Sequence, residues 1–135
     1  MSDHGLLFRN LAAVTRPGGR LTSDCGGQGQ LSEVNAALVE VTGAEKWGVE
    51  FAGVEETEAA LDAAGWEPES VALRHEPLRF DDPDLLEAYL GTVCLSSYLV
   101  DLPAEEHRPF VRRVREAMPA PVIDYVRLEI DAVRR

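Results

Sequence analysis

The sequence predicts an α/β domain with few strands and many helices. Three observations carry that prediction. Apolar residues recur at helical spacing in several stretches. One apolar–polar alternation runs near the C-terminus, over Val122–Val133. Glycine and proline mark the ends of most of these segments.

The first helix is expected over Asp3–Val14, where Leu7, Leu11 and Val14 fall at i, i+4 and i+7 and Phe8 widens the stripe. Arg16-Pro17-Gly18-Gly19 stops it. Arg20–Cys25 reads as a short strand, and Gly26-Gly27-Gln28-Gly29 forces a turn after it. Gln30–Val41 carries Leu31, Val34, Leu38 and Val41 at helical spacing, with Gly43 placed to cap it. Ala44–Gly53 is irregular, with Trp47 and Phe51 as anchors. Val54–Ala64 is a helix whose acidic first turn suits the macrodipole, and Gly65 follows at its C-terminus. Ser70–His75 is a strand ended by Pro77.

Asp82-Pro83 is an N-cap followed by proline at the first helical position. Leu85, Leu86, Tyr89, Leu90, Val93 and Cys94 then form one broad apolar face. Pro103–Met118 is a helix with Phe110, Val111, Val114 and Met118 facing inward, and Pro109 is expected to break or kink its first turn. In Val122–Val133, Val126, Leu128, Ile130 and Ala132 alternate with Arg127, Glu129 and Asp131. A half-exposed antiparallel strand gives that pattern, whereas a parallel strand covered on both faces does not.

Length and charge narrow the function. The 135 residues are read as one unit, and 45% hydrophobic content suits an ordinary core. No apolar run is long enough to span a bilayer, and the N-terminus has no signal-peptide pattern. A net charge of −11 would repel phosphate backbones and anionic lipid, so neither nucleic acid nor a membrane surface is expected as a partner. Lys46 is the only lysine among 13 basic residues, which reads as genome composition bias. Cys25 and Cys94 are read as reduced, buried thiols in a cytoplasmic protein.

The constellations that could carry chemistry are sparse. Gly26-Gly27-Gln28-Gly29 between a strand and a helix could aim backbone N–H groups at an anion. Ser32 stands where the dinucleotide fingerprint needs its third glycine, and no second strand with a terminal acid follows. A tight turn lining a pocket is the better reading. His4, His75 and His107 have no metal-ligand spacing, and G-x-S-x-G is absent. The carboxylate pairs Glu55-Glu56, Asp81-Asp82 and Glu105-Glu106 sit at helix starts, where capping explains them. Arg112-Arg113 with Arg115 reads as a solvated helix face.

The order of the motifs is more telling than their chemistry. Leu7-Phe8-Arg9-Asn10-Leu11-Ala12-Ala13-Val14 followed by Arg16-Pro17-Gly18-Gly19-Arg20-Leu21 resembles the later half of a class I S-adenosylmethionine-dependent methyltransferase, with Thr15 in place of the usual leucine. Cys25-Gly26-Gly27-Gln28 is similar to the trans-aconitate methyltransferase-like subgroup at this place. Phe51-Ala52 with Glu55-Glu56-Thr57, then Ala63-Ala64-Gly65-Trp66, Tyr89-Leu90 and Tyr125-Val126-Arg127-Leu128, continue the order over about residues 3–133.

The resemblance implies a truncated Rossmann-like methyltransferase fold. Its small mixed sheet would keep the parent strand order 5-7-6 among several packed helices, and residues 1–135 would be the C-terminal part of the domain. It implies methyl transfer to a small organic acid or similar metabolite. It also implies that S-adenosylmethionine, the parent family's cofactor, is not bound by this chain alone. The glycine-rich loop and the ribose-binding acid belong to strands that this sequence does not contain. Whether the chain is an enzyme is left open, and no residue stands out as a catalytic base.

Substrate-side positions would lie at the C-terminal ends of the strands: Cys25, Gly26, Gly27 and Gln28, with Arg127, Tyr89 and Tyr98 as weaker candidates. Arg127 could meet a substrate carboxylate, although a surface salt bridge is the plainer role. Strand Arg20–Cys25 would be left with an unpaired edge. The expected partners are therefore a second copy, joined at this edge or through the N-terminal helices, or a complementary cofactor-binding half, with a small-molecule acceptor. The competing reading is a non-enzymatic interaction module acting as a homodimer.

Overall fold

Helix α1 (His4–Val14) begins where Asp3 caps it, its Oδ1 accepting from the Leu6 N–H at 2.7 Å. The computed structural model describes residues 3–45 and 49–135. Trp47, expected as an anchor beside Phe51, lies outside the described residues. The chain forms two compact units, one built from Met1–Gln30, Glu50–Glu76 and Val126–Arg135, the other from Leu31–Val49 and Pro77–Tyr125.

The first unit holds α1, strand β1 (Arg20–Gly26), helix α3 (Val54–Ala63), strand β2 (Trp66–His75) and strand β5 (Val126–Arg134). The sheet order is β1–β5–β2, and β5 runs antiparallel to both neighbours. The sheet expected to be mixed is thus antiparallel in every ladder, because its two like-directed strands are separated by β5. Val126, Leu128, Ile130 and Ala132 are buried along one face of β5, as the alternation requires. Beneath them lie Phe8 and Ala12 of α1, Leu61 of α3 and Trp66. The α1 stripe is turned from the expected one: Phe8 and Ala12 are its buried centre, and Val14 is exposed.

The other sheet face is polar. Arg127 Nε donates to Asp24 Oδ1 at 2.7 Å, Arg74 Nε to Glu129 Oε1 at 2.8 Å, and Thr22 Oγ1 to Asp131 Oδ1 at 2.8 Å. Such exposed pairs contribute about 0–1 kcal/mol each, so the apolar face holds the unit together.

Strand β2 starts at Trp66, four residues before the expected Ser70, and passes Pro68 through a bulge between Pro68 and Ser70. The Arg135 N–H donates to the Gly65 carbonyl in the register that pairs Glu67 with Val133. Alternation from that bond turns the Pro68 nitrogen away from β5, so its missing donor costs the ladder nothing.

The second unit holds helix α2 (Ser32–Thr42), strand β3 (Leu78–Arg79), helix α4 (Pro83–Tyr89), a π-helical turn (Leu90–Cys94), helix α5 (Ser96–Leu99), helix α6 (Ala104–Ala117) and strand β4 (Val122–Ile123). Strands β3 and β4 form a two-stranded antiparallel ladder, so the expected continuous strand from Val122 is interrupted. Gly43 ends α2 in the left-handed region, its N–H on the Val39 carbonyl. Asp82 and Pro83 start α4 as expected.

The single apolar face expected from Leu85 to Cys94 does not form. Leu86 and Leu90 are buried, but Leu85 and Val93 are exposed. The Leu95 N–H reaches back five residues to the Leu90 carbonyl. That wider turn shifts the helical phase and brings Leu95 and Leu99 into the core instead. Pro109 sits inside an unbroken α6. Both Pro109 and Glu105, whose carbonyl loses its donor, are exposed, so the helix continues across the gap. Phe110, Val111, Val114 and Met118 are buried as the spacing predicts.

Candidate functional site

The sequence-predicted positions of the first unit gather at the end of β1. Cys25 pairs with Leu128 and Gly26 with Arg127. The Cys25 thiol lies 3.8 Å from the Leu128 carbonyl oxygen, a weak contact at the margin of the core. A side chain on Gly26 would run into the Phe51 ring at 2.7 Å. Gly27 is buried against Leu73 and Leu128, and Gln28 lays its side chain over Gly53. The Gly27 N–H donates to the Val126 carbonyl, the Gln28 N–H to Ala52 and the Gln30 N–H to Gly27. Gln30 Oε1 in turn accepts from the Val126 N–H at 3.1 Å, replacing the return bond of the ladder.

These three donors are therefore committed within the chain and cannot serve a nest for an anion. The Gly27, Gln28 and Gln30 N–H groups are thus not available to hold the carboxylate end of a cofactor such as S-adenosylmethionine. Arg127 is held by Asp24 on the polar sheet face.

The second unit has its own polar cluster. Leu31 precedes α2 with φ 56° and ψ 28°, the left-handed region that a leucine adopts only under constraint. The constraint is Asp124. Its carbonyl accepts from the Leu31 N–H at 3.0 Å, and its Oδ2 accepts from Ser32 Oγ at 2.7 Å and from the Glu33 N–H at 2.9 Å. A carboxylate of the chain thus occupies the helix N-terminus, where an external anion would otherwise bind. Asp124→Ala is expected to cost about 1–2 kcal/mol of stability through the lost cap, with Asp124→Asn milder, as urea denaturation will measure. A neutral result for the alanine variant would show that the cap does not hold α2.

Beside Asp124, the Tyr125 hydroxyl meets the Tyr89 hydroxyl at 2.6 Å. Burial pushes the Cys94 thiol up to about 11, with the Asp124 charge adding and a Tyr125 hydrogen bond opposing. Burial, then the Tyr89 hydrogen bond, also raises Tyr125. At neutral pH Cys94 and Tyr125 keep their protons, so the nucleophilic Cys94 thiolate is not populated. Tyr98, the other weak candidate, stacks on Phe110 with ring centroids 4.5 Å apart.

A cleft of about 330 Å³ opens between α4 and α6, lined by Glu87, Gly91, Leu99, His107 and Arg108. Its most buried charge is spoken for: Glu87 accepts from Arg115 Nε at 2.8 Å and faces Arg112 Nε at 3.5 Å.

The sequence reading missed Asp124, yet a signal was present. In a continuous strand with Val126, Leu128, Ile130 and Ala132 inward, Asp124 falls on the same, apolar side. A carboxylate at that parity marks an interruption and a polar role.

No protein-family model matches the chain, and no curated protein matches it. Among solved structures it is similar to a phospholethanolamine N-methyltransferase 2 of Haemonchus contortus, in complex with phosphomonomethylethanolamine and S-adenosylhomocysteine. That likeness has 15% identity and a TM-score of 0.43, over 99% of this chain and 30% of the other. The chain spans about a third of that protein's length. A likeness of this degree assigns neither fold nor activity to this chain.

Proposed function

We propose that the chain is the substrate-side half of a methyltransferase-like domain that acts on a small organic acid or similar metabolite. By itself it neither binds S-adenosylmethionine nor transfers a methyl group. One observation carries the reading: β5 lies antiparallel between β1 and β2. With the motif order from Leu7 to Leu128, this supports taking β1, β5 and β2 as strands five, seven and six of the parent sheet. In this reading Cys25, Gly26 and Gln28 line the substrate side at the end of β1 with Gly27 packed behind them, and Arg127 would exchange Asp24 for a substrate carboxylate. The cofactor loop would come from a complementary half.

Two measurements test it. Titration calorimetry of this chain with S-adenosylmethionine is expected to show no binding, and micromolar affinity would overturn the reading. The DNA preceding the Met1 codon, read in all frames, is expected to encode a strand followed by a glycine-rich loop, or a neighbouring gene is. Absence from both would leave the second reading, a non-enzymatic homodimeric interaction module. The internally committed N–H groups of the glycine turn favour that second reading.

A further inference from the structure

We propose that the outer edge of β1 pairs antiparallel with β1 of a second copy of this chain, Thr22 facing Thr22 across a two-fold axis. The pairing fills the β1 edge that a complementary cofactor-binding half would also need, so it rests on the homodimeric reading, and its test reads mass and not cofactor.

The hydrogen-bond phase of β1 selects the residues involved. The Gly27 N–H donates to the Val126 carbonyl and the Arg134 N–H to the Gly19 carbonyl, both in the register of the β1–β5 ladder. Alternation between these two bonds turns the polar backbone of Leu21, Ser23 and Cys25 toward β5. It turns that of Arg20, Thr22, Asp24 and Gly26 outward. Among the described residues, none of the backbone bonds outside the ladders engages these four N–H groups.

The two sheet edges differ in protection. β2 carries Pro68 with its nitrogen outward and a bulge beside it, the usual guards against pairing. β1 has seven residues, with no proline, lysine or bulge. It is the edge left able to accept a strand.

Charge chooses the occupant and the register. With Thr22 on the axis, Arg20 stands opposite Asp24 of the second copy, and Asp24 opposite its Arg20. Both lie on the polar face, where Asp24 already takes Arg127 and Arg20 already takes Glu69. The dimer would join these pairs into one alternating row, from Arg127 through Asp24 to Arg20 and Glu69 of the second copy. A register slipped by two residues sets Thr22 opposite Arg20 or Asp24 and forfeits both new pairs. A parallel strand from another polypeptide has no such match to make.

Light scattering of the eluting chain tests this, at physiological salt so that the net charge of −11 on each copy is screened beyond about 8 Å. The expected result is a rise from 14.8 kDa to twice that mass between micromolar and millimolar concentration. Thr22→Pro is expected to abolish the rise while the melting curve stays close to wild type, because that N–H points away from β5. Asp24→Arg, which sets like charges opposite each other, is expected to raise the dimer dissociation constant about tenfold or more. Arg20→Asp with Asp24→Arg in one chain should restore dimerisation. A monomer at every concentration overturns the proposal, and so does a dimer indifferent to a folded Thr22→Pro.

Discussion

Trp66→Ala is expected to lower the unfolding free energy by about 3–5 kcal/mol, enough to unfold a marginal domain. Trp66 is 1% exposed and lies where α3 hands the chain to β2, under Leu128, Ile130 and Ala132 of the central strand. Its indole N–H also donates to the Phe8 carbonyl at 3.0 Å, so one side chain ties α1 to the sheet. Alanine leaves a cavity that β5, bonded on both sides, cannot collapse into. Trp66→Phe keeps most of the apolar volume and should lose less than half as much. Urea denaturation followed by far-ultraviolet circular dichroism measures both variants. A loss below about 1 kcal/mol for the alanine variant would mean that this cluster does not hold the first unit.

Trp66 also shows where sequence reasoning stopped short. The strand was expected over Ser70–His75, yet it opens at Trp66 and runs through Pro68. The proline is tolerated since its nitrogen faces the open edge, and only the tertiary pairing with β5 reveals which way it faces. The same holds for Leu90–Cys94. Helical spacing predicts Val93 inward, but the five-residue reach from Leu95 to Leu90 moves the phase, and no local residue announces it. Pro109 misled in the opposite direction, since breaking a helix depends on whether the freed carbonyl can reach water.

Elements set by local chemistry were legible: Asp82 as a cap, Gly43 and Gly65 after helices, and the alternation of β5. The candidate site was legible only as a place. The turn at Gly26–Gly29 is where the spacing put it, but whether its N–H groups were free depended on Val126 and Ala52, both distant in sequence. Asp124 capping α2 from more than 90 residues away is the same case. Partners that lie far off along the chain decide whether a glycine turn binds something or merely packs.

Gly27→Val separates those two roles. A Cβ at Gly27 would stand 2.4 Å from Leu73 Cδ2, 3.0 Å from Leu128 Cβ and 3.1 Å from the Leu128 backbone nitrogen. The leucine methyl can turn aside, but the Leu128 backbone belongs to the central strand and is fixed from both sides. Valine is therefore expected to cost about 1–3 kcal/mol by overpacking, with alanine nearer the lower figure. The loss would appear in urea denaturation with no ligand present. A glycine kept open for a substrate would behave differently, because the larger side chain would fill free space, leave the midpoint unchanged and abolish binding alone. An unchanged midpoint in Gly27→Val would thus return the turn to a binding role. The contacts with Leu73 and Leu128 argue for the opposite result: Gly27 is small because the sheet needs the room.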